Sequence, residues 1–297
     1  MRAGSLITTV FGDALLPRGG RIWLGSLIRL LAPLGVNERL VRTAVFRLVK
    51  DDWLEAHACG RRTDYALTPA GLRRFEDASR QIYAARPPYW DRRWRLLLAV
   101  GEFTLKEREP LRQALAWQGF GHLGGDSFIH PGADLGAALD ALAGAGLAGM
   151  RGRLKPLLAA SADLDGAADD RALVAAAWRL DALAEVYATF VDRYQPVQEH
   201  LRTHADALDE DVAFQLRTLL IHDFRRSLLR DPQLPAELLP AHWPGQQARL
   251  LCRDIYRRLL PASERHLARH MALACAAAPA PPLGLDMRFR DADPLAL

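Results

Sequence analysis

The sequence predicts an α+β protein with an N-terminal winged helix-turn-helix, a ferredoxin-like middle domain and a helical C-terminal domain. Three observations lead to this prediction. Helix signals and a hairpin pattern fill the first 80 residues, strand and helix patterns alternate after a proline-rich linker, and helical periodicity then continues to about residue 278. The chain of 297 residues is long enough for two or three domains. We expect the boundaries at 1–86, 89–168 and 169–297.

Clear start and stop signals mark the elements of the first 86 residues. Ser5 can cap a first helix, and the run 17–20 breaks it. Asn37 can cap a third helix, and Thr68-Pro69 opens a fourth. The predicted elements are helices 6–11, 22–31, 38–51 and 71–83 and a hairpin with strands 54–58 and 63–67. This order of helices and hairpin is that of a winged helix-turn-helix.

The rest of the chain changes from mixed patterns to helical ones. After the linker 86–88, the predicted elements are strands 94–100 and 127–130 and helices 107–118 and 135–148. Such a β-α-β-α order suggests a ferredoxin-like domain, although the Ala-rich sequence after Lys155 leaves its last strands unplaced. Helices are then predicted at 173–194, 199–208, 211–230 and 246–260, followed by an irregular proline-rich tail.

Composition excludes several classes of protein. No apolar run approaches the roughly 20 residues that a membrane-spanning helix needs, and the N-terminus has no secretory h-region. The three cysteines are too few and too scattered for a disulfide framework or a Cys-rich zinc site. We therefore expect a cytoplasmic protein with no membrane association.

Positive charge is concentrated at the N-terminus. Residues 1–95 hold 17 Lys and Arg against nine Asp and Glu, whereas the remainder holds 22 against 26. A basic N-terminal third on a mildly acidic body is typical of a protein that meets a polyanion with one domain. An uneven but simply solvated surface is the alternative.

The third predicted helix divides into an apolar and a cationic face. At 3.6 residues per turn, one face holds Leu40, Val41, Ala44, Val45, Leu48 and Val49. The other face holds Arg39, Arg42, Thr43, Phe46, Arg47 and Lys50. Arginine reads guanine through two hydrogen bonds, and an apolar side chain contacts the thymine methyl. The second face is therefore predicted to bind DNA, and a solvated basic helix face is the alternative.

The tip of the predicted hairpin carries two more cations. Arg61 and Arg62 follow Gly60 in a tight turn. Such a tip can bind phosphate or enter the minor groove and so add salt-dependent affinity for DNA. The alternative is an ordinary basic turn.

Several stretches carry a family resemblance. They are residues 11–13, 17–33, 37–48, 60–62, 222–226, 230–232, 234–235 and 243–245, and they resemble the PaaX family of repressors of phenylacetic acid degradation. The resemblance implies a homodimeric, GntR-like winged-helix repressor of double-stranded operator DNA. It also implies release from that DNA by phenylacetyl-coenzyme A or a related acyl-CoA.

The middle domain of that family is similar to a CRISPR-associated endoribonuclease, which needs a carboxylate at the end of its first strand. Here the corresponding run 98–102 is Leu-Ala-Val-Gly-Glu, with no Asp in place. We therefore interpret the domain as a scaffold for dimerisation or coupling. A nucleic-acid enzyme is the main alternative, and a thioester-processing enzyme with a DNA module is a second.

An acyl-CoA needs cations for its phosphates and an apolar slot for its acyl group. His222, Arg226 and Arg230 follow one another at intervals of four residues on a predicted helix, and they are the phosphate-binding candidates. Trp243 is a candidate for stacking on the adenine. The alternatives are a solvated charged stripe and a tryptophan that packs in the core.

No motif predicts a catalytic residue, a bound cofactor or a metal ion. The histidine pairs His200/His204 and His266/His270 have helical spacing but no evident third ligand. We expect these four to be surface histidines, and a zinc site that also uses the nearby Glu199 or Glu264 is the alternative.

Overall fold

The computed structural model describes residues 3–162, 164–203, 208–229, 231–275 and 279–290. Its described residues fall into two compact units. The first combines Met1–Ala85 with Thr189–Arg226 and Gln246–Leu297, and the second combines Arg86–Ala188 with Ser227–Gly245. The predicted C-terminal segment 169–297 therefore contributes to both units, because its long helices pack partly with the N-terminal elements.

The described N-terminal part of the first unit, residues 3–85, contains four α-helices and a small sheet. The elements are α1 (Ala3–Val10), β1 (Arg21–Trp23), α2 (Leu24–Leu31), α3 (Glu38–Lys50), β2 (Leu54–Cys59), β3 (Arg62–Leu67) and α4 (Pro69–Ile82). The antiparallel sheet has the order β1-β3-β2. The predicted helix 22–31 is wrong at its start, because Ile22 pairs with Tyr65 and is fully buried as part of β1.

Two predicted helix caps are confirmed. The Asn37 side chain accepts a hydrogen bond of 3.0 Å from the backbone N–H of Leu40 at the start of α3. The Thr68 hydroxyl accepts one of 2.8 Å from Gly71 at the start of α4. Each bond satisfies a backbone donor that the first turn of a helix leaves without a partner.

The core of the first unit joins residues that are far apart in sequence. Apolar side chains of α1, α2 and α3 pack together with Phe214, Leu267 and Met271. This packing explains why the C-terminal helices belong to the same unit as the N-terminal elements. Burial of so much apolar surface is the main source of stability in such a core.

The second unit contains a four-stranded antiparallel sheet with the order β5-β6-β4-β7. Its elements are β4 (Arg93–Ala99), α5 (Leu105–Ala116), β5 (Gly121–Gly124), β6 (Ser127–His130), α6 (Leu135–Gly144) and β7 (Leu154–Ala160). This β-α-β-β-α-β order is that of ferredoxin-like domains. Strand β5 is short and glycine-rich, and β7 contains a proline and runs into an Ala-rich stretch, so the sequence pattern did not reveal either one.

The C-terminal helices are α7 (Asp170–Ala177), α8 (Leu180–Thr203), α9 (Glu210–Leu228) and α10 (Pro244–His270). The predicted end of the last helix at residue 260 is wrong, because α10 continues through Pro261. The buried Leu259, Ala262 and Leu267 flank this proline, and their packing offsets the roughly 3 kcal/mol that a proline costs inside a helix. Likewise, α8 continues through Pro196. In the described part of the chain, no helix combines the length and apolar character that crossing a membrane requires.

Candidate nucleic-acid interface

Helix α3 exposes every one of its predicted DNA-contacting side chains. These are Arg39, Arg42, Thr43, Phe46, Arg47 and Lys50. The Phe46 ring is 70% exposed, which is unusual for a large apolar side chain. On the opposite face, Val41, Ala44 and Val45 are buried. The prediction that Leu40 belongs to this apolar face is wrong, because its side chain is 42% exposed.

Local hydrogen bonds order part of this face. The guanidinium of Arg42 forms an ion pair of 2.7 Å with Glu38, one turn earlier. The Thr43 hydroxyl donates to the carbonyl of Arg39 at 2.9 Å. The pairing to Glu38 holds Arg42 along the helix, whereas Arg47, five residues later, is exposed. The exposed face thus offers guanidiniums for base edges or phosphates and an aromatic ring for a thymine methyl.

The β2–β3 hairpin ends in a two-residue turn. Strand pairing runs from Leu54 opposite Leu67 to Cys59 opposite Arg62. Gly60 has a φ of +57°, which a glycine in the first turn position adopts without steric cost. Arg61 and Arg62 are both exposed at this tip, as the sequence predicted.

Trp23 of β1 supports one of the two tip arginines. The Arg62 guanidinium carbon lies 4.7 Å from the centre of the Trp23 ring, and that of Arg29 lies 5.0 Å from it. Each cation is attracted by the π-electrons of the ring. No sequence pattern revealed this role of Trp23, because β1 itself was not predicted. Arg62 is therefore oriented by packing, and Arg61 at the turn is not part of this stack.

Replacing both tip arginines by alanine is expected to weaken binding to specific and non-specific DNA alike. The slope of log K against log salt should fall by about two, since each neutralised phosphate contributes about 0.9 to the slope. Fluorescence anisotropy of labelled DNA at several salt concentrations measures this slope. The matched control is Arg112→Ala with Arg151→Ala, two exposed arginines of the second unit. An equal change of slope in both double variants would mean that total charge, not the hairpin tip, governs binding.

A disulfide bond ties the end of this hairpin to the C-terminal part of the chain. Cys59 and Cys275 are bonded with their Cα atoms 6.0 Å apart, although 216 residues separate them. Ala274 donates a backbone hydrogen bond of 2.6 Å to the buried carboxylate of Asp64 in β3. Together, the disulfide and this hydrogen bond hold the segment after α10 against the β1-β3-β2 sheet. The sequence pattern did not reveal this single pair, because only the fold brings Cys59 and Cys275 together.

Beneath α4, a buried carboxylate gathers two arginines and two tyrosines. Asp13 forms ion pairs of 2.7 Å with Arg217 and 2.8 Å with Arg288. The hydroxyls of Tyr83 and Tyr256 donate to the same carboxylate at 2.6 and 3.1 Å. Burial alone would raise the pKa of Asp13, but the two guanidiniums hold it below its usual value. The carboxylate is therefore charged at neutral pH and holds α9 and α10 against the N-terminal elements.

This network extends to a second carboxylate. Arg217, which is fully buried, also pairs with Glu264 at 2.5 Å and donates to Ser263 at 3.2 Å. Arg18 pairs with the other oxygen of Glu264. The sequence contained one signal of such a centre, an Asp inside the apolar run from Leu6 to Leu15. It contained no signal of the partners, which lie between 70 and 275 residues away along the chain.

The predicted effector residues do not form one exposed stripe. His222 is 1% exposed, and its Nδ1 lies 3.1 Å from the Thr9 hydroxyl of α1. Burial lowers its pKa, so its imidazole is neutral at neutral pH and carries no charge for a phosphate. Arg226 is exposed. Arg230 lies outside the described residues. The predicted accessibility of His222 is wrong, because this turn of α9 packs against α1.

Trp243 lies in the second unit and is partly buried. Its ring centre is 6.0 Å from that of Tyr187, in an edge-to-face arrangement. It also packs at the margin of an apolar cluster that contains Trp90 and Leu239. This packing agrees with the alternative that the sequence left open, a tryptophan that packs in the core.

A groove in the second unit offers other cations. It has a volume of about 400 Å³ and is lined by Leu105, Arg108, Glu109, Arg112, His122, Gly125, Asp126 and Phe128. Arg108 pairs with Asp126 at 3.0 Å, and Arg112 pairs with Glu109. Since carboxylates already neutralise both guanidiniums, the groove carries less attraction for an anion than its arginines suggest.

Comparisons with known proteins extend over most of the chain. Family models described as PaaX-like protein, PaaX protein central Cas2-like domain and PaaX-like protein C-terminal domain match residues 2–71, 87–152 and 178–269. The Transcriptional repressor PaaX of Escherichia coli (strain K12) is 43% identical over 265 residues, which are 87% of this chain and 81% of that protein. Among solved structures, the uncharacterized protein Rv0674 from Mycobacterium tuberculosis is similar with a TM-score of 0.49 and 25% identity. That match covers 80% of this chain and 88% of the other.

Proposed function

Because the chain belongs to the PaaX family, we propose that it represses genes of phenylacetic acid degradation by binding operator DNA through residues 1–86. Its relative from Escherichia coli is named a transcriptional repressor, which is a regulator and not an enzyme. The observation that carries the proposal is the exposed face of α3, where four cations surround an exposed phenylalanine ring.

In this proposal, residues 1–86 act as a winged helix-turn-helix. Helix α3 enters the major groove as the recognition helix, α2 crosses the DNA backbone, and the β2–β3 hairpin is the wing. Arg39 and Arg47 read base edges, and Phe46 contacts a thymine methyl. Arg42, held along the helix by Glu38, binds phosphate and contributes affinity without specificity.

Repression follows from occupancy of the operator by a homodimer. The two recognition helices meet half-sites about one helical turn, roughly 34 Å, or a multiple of it apart. Phenylacetyl-coenzyme A releases the repressor by favouring a dimer geometry in which the helices no longer match this spacing. The ligand achieves this only if it binds the two geometries with different affinity. In this proposal, the second unit, with its Cas2-like domain, is the scaffold for dimerisation or coupling.

The cations of α9 remain our proposed contact for the effector phosphates. Arg226 is exposed on this helix, and a guanidinium forms strong charge-assisted hydrogen bonds with phosphate. Since His222 is buried, we assign this contact to Arg226, with Arg230 as the further candidate that the four-residue spacing of the sequence offers. Trp243 stays a candidate for the adenine.

The deciding experiment titrates effector into the complex with operator DNA. The DNA beside the gene is bound in a gel-shift assay, and phenylacetyl-coenzyme A is added. We expect release by the thioester and none by free phenylacetate, because the phosphates supply the anchoring charge. Arg226→Gln should bind DNA like the parent and need at least about tenfold more thioester, which corresponds to about 1.4 kcal/mol.

Arg112→Gln, in the groove of the second unit, is the matched control and should leave the release unchanged. If Arg112→Gln lost the response and Arg226→Gln kept it, the effector site would move to that groove. Release of the parent by phenylacetate alone would contradict the proposed role of the phosphates.

Two enzyme functions were open at the level of sequence. A nuclease of the Cas2 type needs a carboxylate at the end of its first strand, but β4 ends at Ala99 and is followed by Val100 and Gly101. A thioester-processing enzyme needs a nucleophile and a base, and no motif of the sequence supplies such a pair. Membership of a family of regulators favours neither function.

A further inference from the structure

Three side chains with metal-ligating atoms meet where the first turn of α9 lies against the last turn of α10. Asp211 comes from α9, and His266 and His270 come from α10. One oxygen or nitrogen atom from each residue lies within 4.8 Å of those of the other two. The two histidines lie four residues apart, so they share one face of the helix. This spacing is common in zinc sites on helices.

We propose that Asp211, His266 and His270 bind a divalent transition-metal ion of the Zn²⁺ class. Imidazole nitrogen and carboxylate oxygen are ordinary zinc ligands, and three protein ligands leave a fourth position of the tetrahedron for water. The ion joins the start of α9 to the end of α10, directly before the segment that carries Cys275 to the hairpin. The site replaces our expectation of surface histidines and is independent of the function proposed above.

Packing fixes the orientation of one histidine ring. His266 is 7% exposed and stacks on Phe214, with ring centres 4.9 Å apart and an interplanar angle of 17°. Its ring centre is 4.5 Å from that of His270. Stacking on Phe214 therefore holds the His266 ring in one orientation, beside the ring of His270.

The carboxylate can adapt to an ion. His266 Nδ1 and Asp211 Oδ1 are 2.6 Å apart, a hydrogen-bond distance. Two ligands of a tetrahedral zinc ion are about 3.4 Å apart, given bonds of about 2.0–2.1 Å. The Asp211 side chain is 63% exposed, so it can move outward by this difference. Asp209 caps α9 by accepting from the N–H groups of Asp211 and Val212, and the Asp211 carboxylate is not needed for that purpose.

Two arginines and two carboxylates lie at this position, so their charges balance. Arg265 and Arg269 lie on the same turns of α10 as the histidines, and both pair with Glu210 at 2.9 Å. Together with Asp211, the Glu210 carboxylate offsets their two positive charges. It also gives the end of the helix pair a second, independent link, which should keep variants of the metal ligands folded.

The test uses the full chain without a histidine tag, stripped with EDTA and titrated with Zn²⁺ by calorimetry. We expect one Zn²⁺ per chain. His270→Gln and Asp211→Asn, both at exposed positions, should each weaken binding more than tenfold, because even outer-shell changes cost about 10–100-fold. His242→Gln, an exposed histidine of the second unit, is the control and should bind like the parent.

Two further measurements separate a site from a mere hydrogen-bonded pair. Co²⁺ should give visible absorption bands of a tetrahedral complex in the parent, and these bands should disappear in His270→Gln. Zn²⁺ should also raise the melting temperature of the parent and of His242→Gln but not of Asp211→Asn. Absence of Zn²⁺ binding by the parent, or equal binding by all variants, would overturn the proposal. So would loss of binding in His200→Gln alone, which would place the ion at the other histidine pair.

Discussion

Asp13→Asn is expected to lower the free energy of unfolding by about 3–5 kcal/mol, the usual cost of removing one member of a buried ion pair. The substitution keeps the shape of the side chain but leaves Arg217 and Arg288 without the carboxylate that both contact. The Arg217 side chain is 0% exposed and that of Arg288 is 4% exposed, so water cannot take the place of the lost carboxylate charge. Urea unfolding followed by circular dichroism measures the loss.

Two controls show whether charge is responsible. Asp77→Asn breaks an exposed pair with Arg80 and should cost no more than about 1 kcal/mol. Arg217→Met leaves Asp13 paired with Arg288 and Glu264 paired with Arg18, so neither carboxylate is left without a cation and the cost should lie below that of Asp13→Asn. If Asp13→Asn were as stable as Asp77→Asn, the network would not hold the first unit together.

The same carboxylate predicts a dependence of stability on pH. The pKa of Asp13 is lower in the folded chain than its unfolded value of about 3.9. The charged group therefore contributes stability that is fully present above the unfolded pKa and is lost as the pH falls through the folded pKa. Between pH 5 and pH 3, the parent should lose more stability than Asp13→Asn, which has no proton to take up at this position.

Combined replacement of Arg39 and Arg47 by alanine is expected to weaken operator binding by about 2–6 kcal/mol. Each arginine that reads a base contributes about 1–3 kcal/mol of discrimination. The two residues are eight positions apart on α3, about 12 Å along its axis, so their effects should add. Binding-site selection with Arg47→Ala alone should show relaxed preference at one or two base pairs.

Arg42→Ala provides the matched control on the same helix. Its guanidinium lies along α3 in the pair with Glu38, so its loss should weaken binding to all sequences equally and leave the preferred bases unchanged. An unchanged sequence preference in Arg47→Ala would instead mean that α3 does not face base edges through this residue. Melting temperatures of all three variants should match the parent, because these positions are exposed.

The sequence alone determined the parts of the candidate interface that depend on neighbouring residues. Asn37 and Thr68 cap their helices as predicted, because a cap needs a partner only three residues away. The cationic side chains of α3 are exposed as predicted, because a helical period of 3.6 residues fixes which residues share a face. Glycine in a tight turn likewise indicated the hairpin tip.

Only the tertiary structure decided which distant groups meet. Asp13 reaches Arg217 and Arg288, Cys59 reaches Cys275, and Asp211 joins a histidine pair 55 residues further along the chain. Short-range patterns carry no information on such pairs, since these contacts depend on how whole helices pack. The burial of His222 and the passage of α10 through Pro261 have the same origin. In each case, apolar surface buried between distant elements outweighs the local preference from which the prediction was made.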